Sequence, residues 1–224
     1  MDRRYFIANL KSHFTIPEIE KYLVELQSQL NTVDIQQNCI IICPSFTLLD
    51  FTVKKSKELN LPIQIGAQNV SGFEAGAYTG EVFAEQVKEF AEYVIIGHSE
   101  RKRYNHESED DVLKKAEQAK RVGLKIIQCV QDENSTVSEY AEIVAYEPPS
   151  AISTFGTGIP DSPEDVKRVL DQLDFTYPGK ILTYGGSVKQ NTIKNYSGIE
   201  KCKGFLIGGA SLNASEFLTL PNSC

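Results

Sequence analysis

The chain has 224 residues, of which 41% are hydrophobic and 24% are charged, and its formal net charge is −7. This length and composition suit one globular domain, which we expect to span residues 1–224, and the acidic balance argues against a nucleic-acid partner. No apolar stretch approaches the roughly 20 residues of a membrane span, and no secretory signal is visible, so we expect neither membrane insertion nor export.

Eight short apolar runs recur along the chain and predict strands that are buried on both faces. They cover residues 5–8, 39–43, 63–67, 93–96, 124–129, 143–146, 180–184 and 204–207. Runs of this kind are typical of parallel sheets, in which helices cover the sheet.

Amphipathic patterns predict helices between these runs, most clearly in residues 17–30 and more weakly in residues 107–121. Another helix is predicted to start at Ser162, which is followed by a proline and two acids, with Asp161 as the competing cap. The segment from 130 to 142 has room for one short helix. We therefore expect a shortened layer after the fifth strand.

Strands that alternate with helices favour a closed eight-unit barrel or a doubly wound open sheet. In barrels, functional groups follow the C-terminal ends of the strands. The polar or ionisable residues that directly follow a predicted strand are Asn9, Lys11, Gln68, Asn69, His98 and Glu147. Glycine pairs follow the last two strands, so we expect all of these groups to converge on one face.

Residues 95–101 read IIGHSER, and this peptide resembles the one that follows the fourth strand in the triosephosphate isomerase family. Residues 9–11 (NLK) and 145–148 (AYEP) are similar to the family's Asn-x-Lys motif and to the end of its sixth strand. The resemblance implies a (β/α)8 TIM barrel that interconverts dihydroxyacetone phosphate and glyceraldehyde 3-phosphate through an enediolate. It also implies a role in glycolysis and gluconeogenesis and no metal or organic cofactor.

The same resemblance assigns roles to individual side chains. Glu147 would be the general base, and a neutral His98 would act with Lys11 as the electrophiles. Asn9 would contact the substrate. Further contributions are implied for Ser99 and Glu100, which would orient the base and Lys11. Each residue type alone is more often structural or solvated, and the joint occurrence of the motifs favours catalysis.

Two glycine-containing segments are candidates for a phosphate cradle. They read YGGSV in residues 184–188 and LIGGAS in residues 206–211. Glycines let backbone amides approach an anion closely, although glycine pairs also mark ordinary turns. The resemblance implies that Ser187, Gly208 and Gly209 contact phosphate.

The segment after the proposed base departs from the family pattern. Residues 148–158 read PPSAISTFGTG, whereas the usual family form is Pro-x-Trp-Ala-Ile-Gly-Thr-Gly, and this chain has no tryptophan. Ser153 stands where a lid glycine donates its amide to phosphate, with Gly156 as the alternative. The proline pair and the short segment after Cys129 are similar to compact, archaeal-type members of the family.

Residues 76–81 read GAYTGE and resemble the family loop that inserts into a neighbouring subunit, which implies a homodimer, with a tetramer as the alternative. The five cysteines include no CxxC pair, so we expect reduced thiols in a cytoplasmic protein, while a disulfide framework or a zinc site is the minor alternative.

Two rival functions remain open from the sequence. One is another phosphate-binding barrel enzyme, such as a different aldose–ketose isomerase or a synthase of related layout. The other is a catalytically impaired relative that acts as a phosphate-ester binding protein, which the altered segment after Glu147 would favour.

Overall fold

The computed structural model of the chain describes residues 3–151 and 161–224. Eight parallel strands form a closed barrel in sequence order, with β1 paired to both β2 and β8. The strands are β1 Arg4–Asn9, β2 Asn38–Cys43, β3 Gln64–Ala67, β4 Tyr93–Ile96, β5 Lys125–Val130, β6 Ala141–Tyr146, β7 Ile181–Tyr184 and β8 Gly204–Ile207. The predicted (β/α)8 barrel is confirmed, and the open doubly wound sheet is excluded.

Helices surround the barrel. They are α1 Ile16–Gln29, α2 Phe46–Glu58, α3 Ala84–Lys88, α4 Ser99–Asn105, α5 Glu109–Arg121, α6 Pro163–Thr176, α7 Lys194–Ser197 and α8 Ala214–Thr219. Short 3₁₀ turns occur at Leu30–Thr32, Pro149–Ala151, Gly209–Ser211 and Pro221–Ser223.

The core has two layers because each strand is buried on both faces. Ile41, Ile95, Ile127 and Leu206 belong to the cluster that fills the barrel interior. A larger cluster fills the space between the strands and the helices, where the buried stripe of α1 packs. The continuous apolar runs of the sequence have this cause, since neither face of a strand meets water.

The helix starts follow ordinary capping chemistry. Thr15 and Glu18 form a capping box at α1, and Ser162 accepts a hydrogen bond of 3.1 Å from the amide of Asp165 at α6. Ser162 is therefore the cap of α6, and the competing cap, Asp161, has other partners. The Asp161 carboxylate accepts hydrogen bonds from Tyr146 and Ser150 instead.

The layer after β5 is shortened. Residues 131–140, all of which the structure describes, form turns and contain no helix. Gln128 stabilises this connection, since its side chain donates to the carbonyl of Thr136 at 2.7 Å and accepts from the amide of Ser138 at 2.8 Å. The chain instead places two helices, α4 and α5, after β4.

Candidate active site

A cavity of about 380 Å³ lies at the C-terminal ends of the strands. Seven of the site residues predicted from the sequence line it: Asn9, Lys11, His98, Glu147, Ser187, Gly208 and Gly209. Ser153 and its alternative Gly156 lie outside the described residues. The sequence motifs therefore meet in space, although their residues come from five different strand ends.

Glu147 follows β6 directly and is only 2% exposed. Its Oε1 lies 3.1 Å from His98 Nε2, and its Oε2 accepts a hydrogen bond of 3.2 Å from the amide of Ser99. Burial alone would raise the pKa of Glu147, but His98, the Ser99 amide and the Cys129 thiol outweigh burial and hold it below its usual value. The carboxylate is therefore ionised and poorly hydrated.

His98 caps the N-terminus of α4 and is 6% exposed. Its Nδ1 accepts a hydrogen bond of 3.2 Å from the amide of Glu100, so Nδ1 carries no proton. Burial would lower the pKa of His98, but the Glu147 carboxylate outweighs burial and raises it. The amide donor and the helix N-terminus both disfavour a proton on Nδ1, so this geometry describes a neutral ring with its proton on Nε2.

Lys11 has a left-handed backbone, with φ at 50°, which is uncommon for a residue with a side chain. Two contacts hold this turn: Asn9 Oδ1 accepts from the Lys11 amide at 3.1 Å, and Gln68 Nε2 donates to its carbonyl at 2.8 Å. The ammonium lies 2.5 Å from Glu100 Oε1. Lys11 is thus fixed at both its backbone and its charged end.

The opposite side of the cavity is built from the ends of β7 and β8. Ser187 donates its hydroxyl to the carbonyl of Ala151 at 2.7 Å. A Cβ on Gly185 would lie 2.7 Å from Glu147 Cγ, and a Cβ on Gly208 would lie 3.5 Å from Lys11 Cε. The missing side chains therefore bring the backbone of both segments close to the charged groups.

Ser99 and Glu100 each contact another predicted site residue. Glu100 contacts Lys11 through its carboxylate, and Ser99 contacts Glu147 through its amide, not its hydroxyl. The two remaining histidines, His13 and His106, are exposed.

The structure adds residues that the sequence did not single out for this site. Lys189 and Glu216 line the cavity and are exposed at its rim. Lys189 directly follows the YGGSV segment, which is the signal that could have indicated it, whereas Glu216 lies inside α8 and had none. The sequence indicates Gln68 as a polar residue after a strand. It gives no signal for the contact with Lys11, because the two residues are 57 positions apart in sequence.

Within residues 3–151 and 161–224, no group of three or more His, Cys, Asp or Glu side chains is arranged to hold a metal ion. All five cysteines are free thiols. In the same described part of the chain, no helix combines the length and the apolar character that a membrane crossing needs.

Comparison with known proteins agrees with this geometry. A family model described as triosephosphate isomerase matches residues 4–224. The chain is 34% identical to the triosephosphate isomerase of Trichodesmium erythraeum, with 99% of each chain covered. It is 36% identical to that of Wolbachia sp. subsp. Brugia malayi over 94% of this chain and 93% of the relative. It is 30% identical to that of Saccharomyces cerevisiae over 100% and 99%.

Fold and site together define a (β/α)8-barrel enzyme with a cavity lined by ionisable side chains at the C-terminal ends of its strands. The match extends over nearly the whole length of the chain and of its relatives. The chain belongs to the triosephosphate isomerase family, and it is an isomerase.

Proposed function

We propose that this site interconverts dihydroxyacetone phosphate and glyceraldehyde 3-phosphate, with Glu147 as the base and His98 and Lys11 as the electrophiles. The observation that carries the proposal is the meeting of these three side chains in one cavity. They are separated by up to 136 positions of sequence (147 − 11), and His98 lies within 3.1 Å of Glu147.

Glu147 removes a proton from the carbon beside the carbonyl and returns it to the neighbouring carbon. The carboxylate is ionised, as a base must be, and its burial removes the water that would otherwise weaken its basicity. His98 Nε2–H currently donates to Glu147 Oε1. When a substrate carbonyl accepts this N–H instead, the carboxylate is released for the proton on carbon.

His98 and Lys11 stabilise the enediolate that forms between the two proton transfers. A neutral imidazole donates a hydrogen bond to the developing oxyanion, and the ammonium of Lys11 supplies positive charge. Glu100 fixes the ammonium through its contact of 2.5 Å. Preorganised donors of this kind cost little reorganisation when the charge develops.

Asn9, Ser187, Gly208 and Gly209 bind the substrate, the last three at its phosphate, together with Ser153 from the segment outside the described residues. The glycine backbones of the cavity and the nearby Lys11 ammonium support this assignment. We also propose that the chain is a compact family member with an altered lid and archaeal-type features. The segment at 148–158, which lacks tryptophan, and the helix-free connection after β5 support this classification.

The test is a coupled assay of the purified protein with glyceraldehyde 3-phosphate, followed by the formation of dihydroxyacetone phosphate. We expect turnover, and we expect inorganic phosphate to inhibit it competitively. Saturable binding of the phosphate ester without turnover would instead establish the alternative, a catalytically impaired phosphate-ester binding protein.

We propose further that the chain forms a homodimer. The loop at 76–81 presents Tyr78, which is 47% exposed and stacks on Phe73 at a centroid distance of 4.4 Å. A second cavity lies beside the first, and Lys11 and His98 line both cavities. This second cavity would receive the same loop from a second copy of the chain. Size-exclusion chromatography with light scattering distinguishes the dimer from the tetrameric alternative and from a monomer.

We place the reaction in the cytoplasm, as a step of glycolysis and gluconeogenesis, within a single domain of residues 1–224. The five free thiols fit a reducing compartment. The barrel that closes between β1 and β8 supports one folding unit. Cell fractionation, with detection of the chain by a specific antibody, tests the location.

A further inference from the structure

Asp161 is held by four hydroxyl groups. Its Oδ2 accepts a hydrogen bond from the Tyr146 hydroxyl at 3.0 Å, and its Oδ1 accepts one from the Ser150 hydroxyl at 2.8 Å. Its amide donates to Tyr184 Oη at 3.1 Å, and its carbonyl accepts from the Tyr196 hydroxyl at 2.8 Å. Each polar group of Asp161 therefore has a partner. The carboxylate joins Tyr146 and Ser150, and neither residue takes part in the Ser162 cap of α6.

The three tyrosines form a buried cluster of tilted rings. Ring centroids lie 6.1 Å apart between Tyr146 and Tyr184, and 4.7 Å apart between Tyr184 and Tyr196. Burial, followed by the negative charge of Asp161, raises the pKa of Tyr146, so its hydroxyl stays protonated and remains a donor. Rings that pack this closely have little freedom, so the hydroxyls present fixed partners to the carboxylate.

Both residues that contact the carboxylate lie next to the site. Tyr146 is the residue before Glu147 and ends β6. Ser150 is the residue before Ala151, whose carbonyl accepts the Ser187 hydroxyl at 2.7 Å. One contact of Asp161 thus leads to the base, and the other leads to the phosphate side of the cavity.

We propose that the Asp161 carboxylate is a positioning group for the isomerase reaction and acts through two hydroxyls, those of Tyr146 and Ser150. The Tyr146 contact holds the end of β6, which fixes the direction of Glu147. The Ser150 contact holds the 3₁₀ turn Pro149–Ala151, which fixes the acceptor of the Ser187 hydroxyl. The Tyr146 contact rests on the proposed isomerase reaction, because it acts on the base. The Ser150 contact rests only on the proposed binding of phosphate in the cavity.

A purely structural role is the competing explanation. The obvious structural task, capping α6, is already performed by Ser162. Asp174, near the C-terminal end of α6, pairs with Lys201 at 2.7 Å and provides a matched control. Neither Asp174 nor Lys201 lines the cavity.

The experiment compares Tyr146→Phe, Ser150→Ala, Asp161→Ala and Asp161→Asn with Asp174→Asn in the full-length protein. The readouts are kcat, KM, the inhibition constant of inorganic phosphate and the melting temperature. Because a small misplacement of a reacting group is costly, we expect Asp161→Ala to lower kcat/KM by about 30-fold. Tyr146→Phe lowers kcat and leaves the phosphate constant unchanged, whereas Ser150→Ala raises KM and the phosphate constant about fivefold at constant kcat.

Asp161→Asn keeps one acceptor oxygen, so its kcat/KM lies between those of the unmodified protein and Asp161→Ala. Asp174→Asn leaves all three kinetic constants unchanged. The proposal is overturned when Asp161→Ala, or the two single-contact variants if Asp161→Ala does not fold, keeps kcat/KM and the phosphate constant within twofold.

A loss of melting temperature with unchanged kinetics at low temperature would also overturn the proposal, in favour of a structural role. Absence of turnover in the unmodified protein refutes the proposed function separately. In that case titration with inorganic phosphate still decides the Ser150 contact.

Discussion

Two groups of charged side chains flank helix α4, and they differ in what they face. The cavity group consists of Lys11, His98, Glu100 and Glu147 and lines or borders the active site. The internal group consists of Asn69, Arg101, Glu107 and Lys115, which are joined through Glu107 and Lys115. Asn69 and Arg101 also line the second cavity. Neighbouring residues of one helix, Glu100 and Arg101, belong to different groups.

The lysines of the two groups differ in burial. The Lys11 side chain is 21% exposed and pairs with Glu100, whereas the Lys115 side chain is 7% exposed and contacts both Glu107 and Asn69. Burial outweighs the neighbouring carboxylate and lowers the pKa of Lys115. Glu107 is shared between Lys115 and Arg101 and has a side chain only 3% exposed.

A lysine therefore serves one of two purposes, according to whether the active-site cavity reaches it. Charges at the cavity can exchange their protein partners for those of a substrate, so their pairing is part of the reaction. Charges without such access can only hold the surrounding elements together, and removal of one partner leaves the other buried and unpaired. Substitutions should therefore affect activity in the first group and stability in the second.

The largest expected effect is that of Glu147→Gln in the cavity group. The amide is similar in shape but cannot accept the proton from carbon, so we expect kcat to fall about 1,000-fold, within the range of general-base catalysis. The melting temperature should fall modestly, because His98 can still donate to the amide oxygen while the Ser99 amide loses its acceptor. Turnover and thermal unfolding measured on the same preparation check both expectations, and kcat within tenfold of the unmodified protein would remove Glu147 as the base.

Glu107→Gln should have the opposite profile. Loss of the shared carboxylate leaves the buried Lys115 without its charged partner Glu107, which costs about 3 kcal/mol of unfolding free energy. Urea unfolding measures this loss, and kcat/KM of the folded variant should stay within about threefold. Glu109→Gln is the control, since Glu109 pairs with Lys102 near the surface and should cost less than about 1 kcal/mol. A variant that keeps its stability but loses activity would contradict the division into two groups.

The sequence predicted the cavity group better than the internal group, for a physical reason. Residues at strand ends are placed by the barrel itself, so Lys11, His98 and Glu147 could be brought together from the strand pattern and the family motifs. Glu107, by contrast, follows α4 at its C-terminal end, and its contacts with Arg101 and Lys115 depend on how α4 and α5 pack. Helix packing leaves an apolar periodicity in a sequence, but individual polar contacts between helices leave no such pattern.

The strand and helix boundaries show the same limit. The run at 93–96 coincides with β4, but β6 begins at Ala141, before the predicted start at 143, because exposed Glu142 interrupts the apolar run. The weak helical pattern at 107–121 begins before α5, whose cap is Ser108. The left-handed backbone of Lys11 was not predicted either, because the Gln68 contact that holds it comes from a distant strand end.

The ionisation of Glu147 depends on its partners in the cavity group. Burial raises the pKa of Glu147, while the His98 N–H and the Ser99 amide lower it more strongly, so the net value lies below the usual 4.5. The base works only when deprotonated, so the acid limb that Glu147 contributes to kcat/KM should lie below that ordinary value, separate from the limb of the substrate phosphate at about pH 6. His98→Leu removes one donor and leaves the burial, so the acid limb should move to higher pH along with the loss of kcat. An unshifted limb in a pH profile of kcat/KM would mean that His98 does not set the ionisation of Glu147.

The smallest expected effect concerns two charges at the rim of the cavity. Lys189 and Glu216 line the cavity and are exposed, in a chain whose net charge of −7 repels a phosphate dianion. We expect Lys189→Ala to raise KM about threefold and Glu216→Gln to lower it, with kcat unchanged, because exposed charges act on the encounter with the substrate and not on the reaction. Both effects should shrink as the ionic strength rises, since salt screens exposed charges and affects the buried pair of His98 and Glu147 much less. The contrary outcome is a KM effect that does not depend on ionic strength, or a kcat that changes in either variant. Lys189 and Glu216 would then act in the reaction, as the cavity group does, and not in the encounter with the substrate.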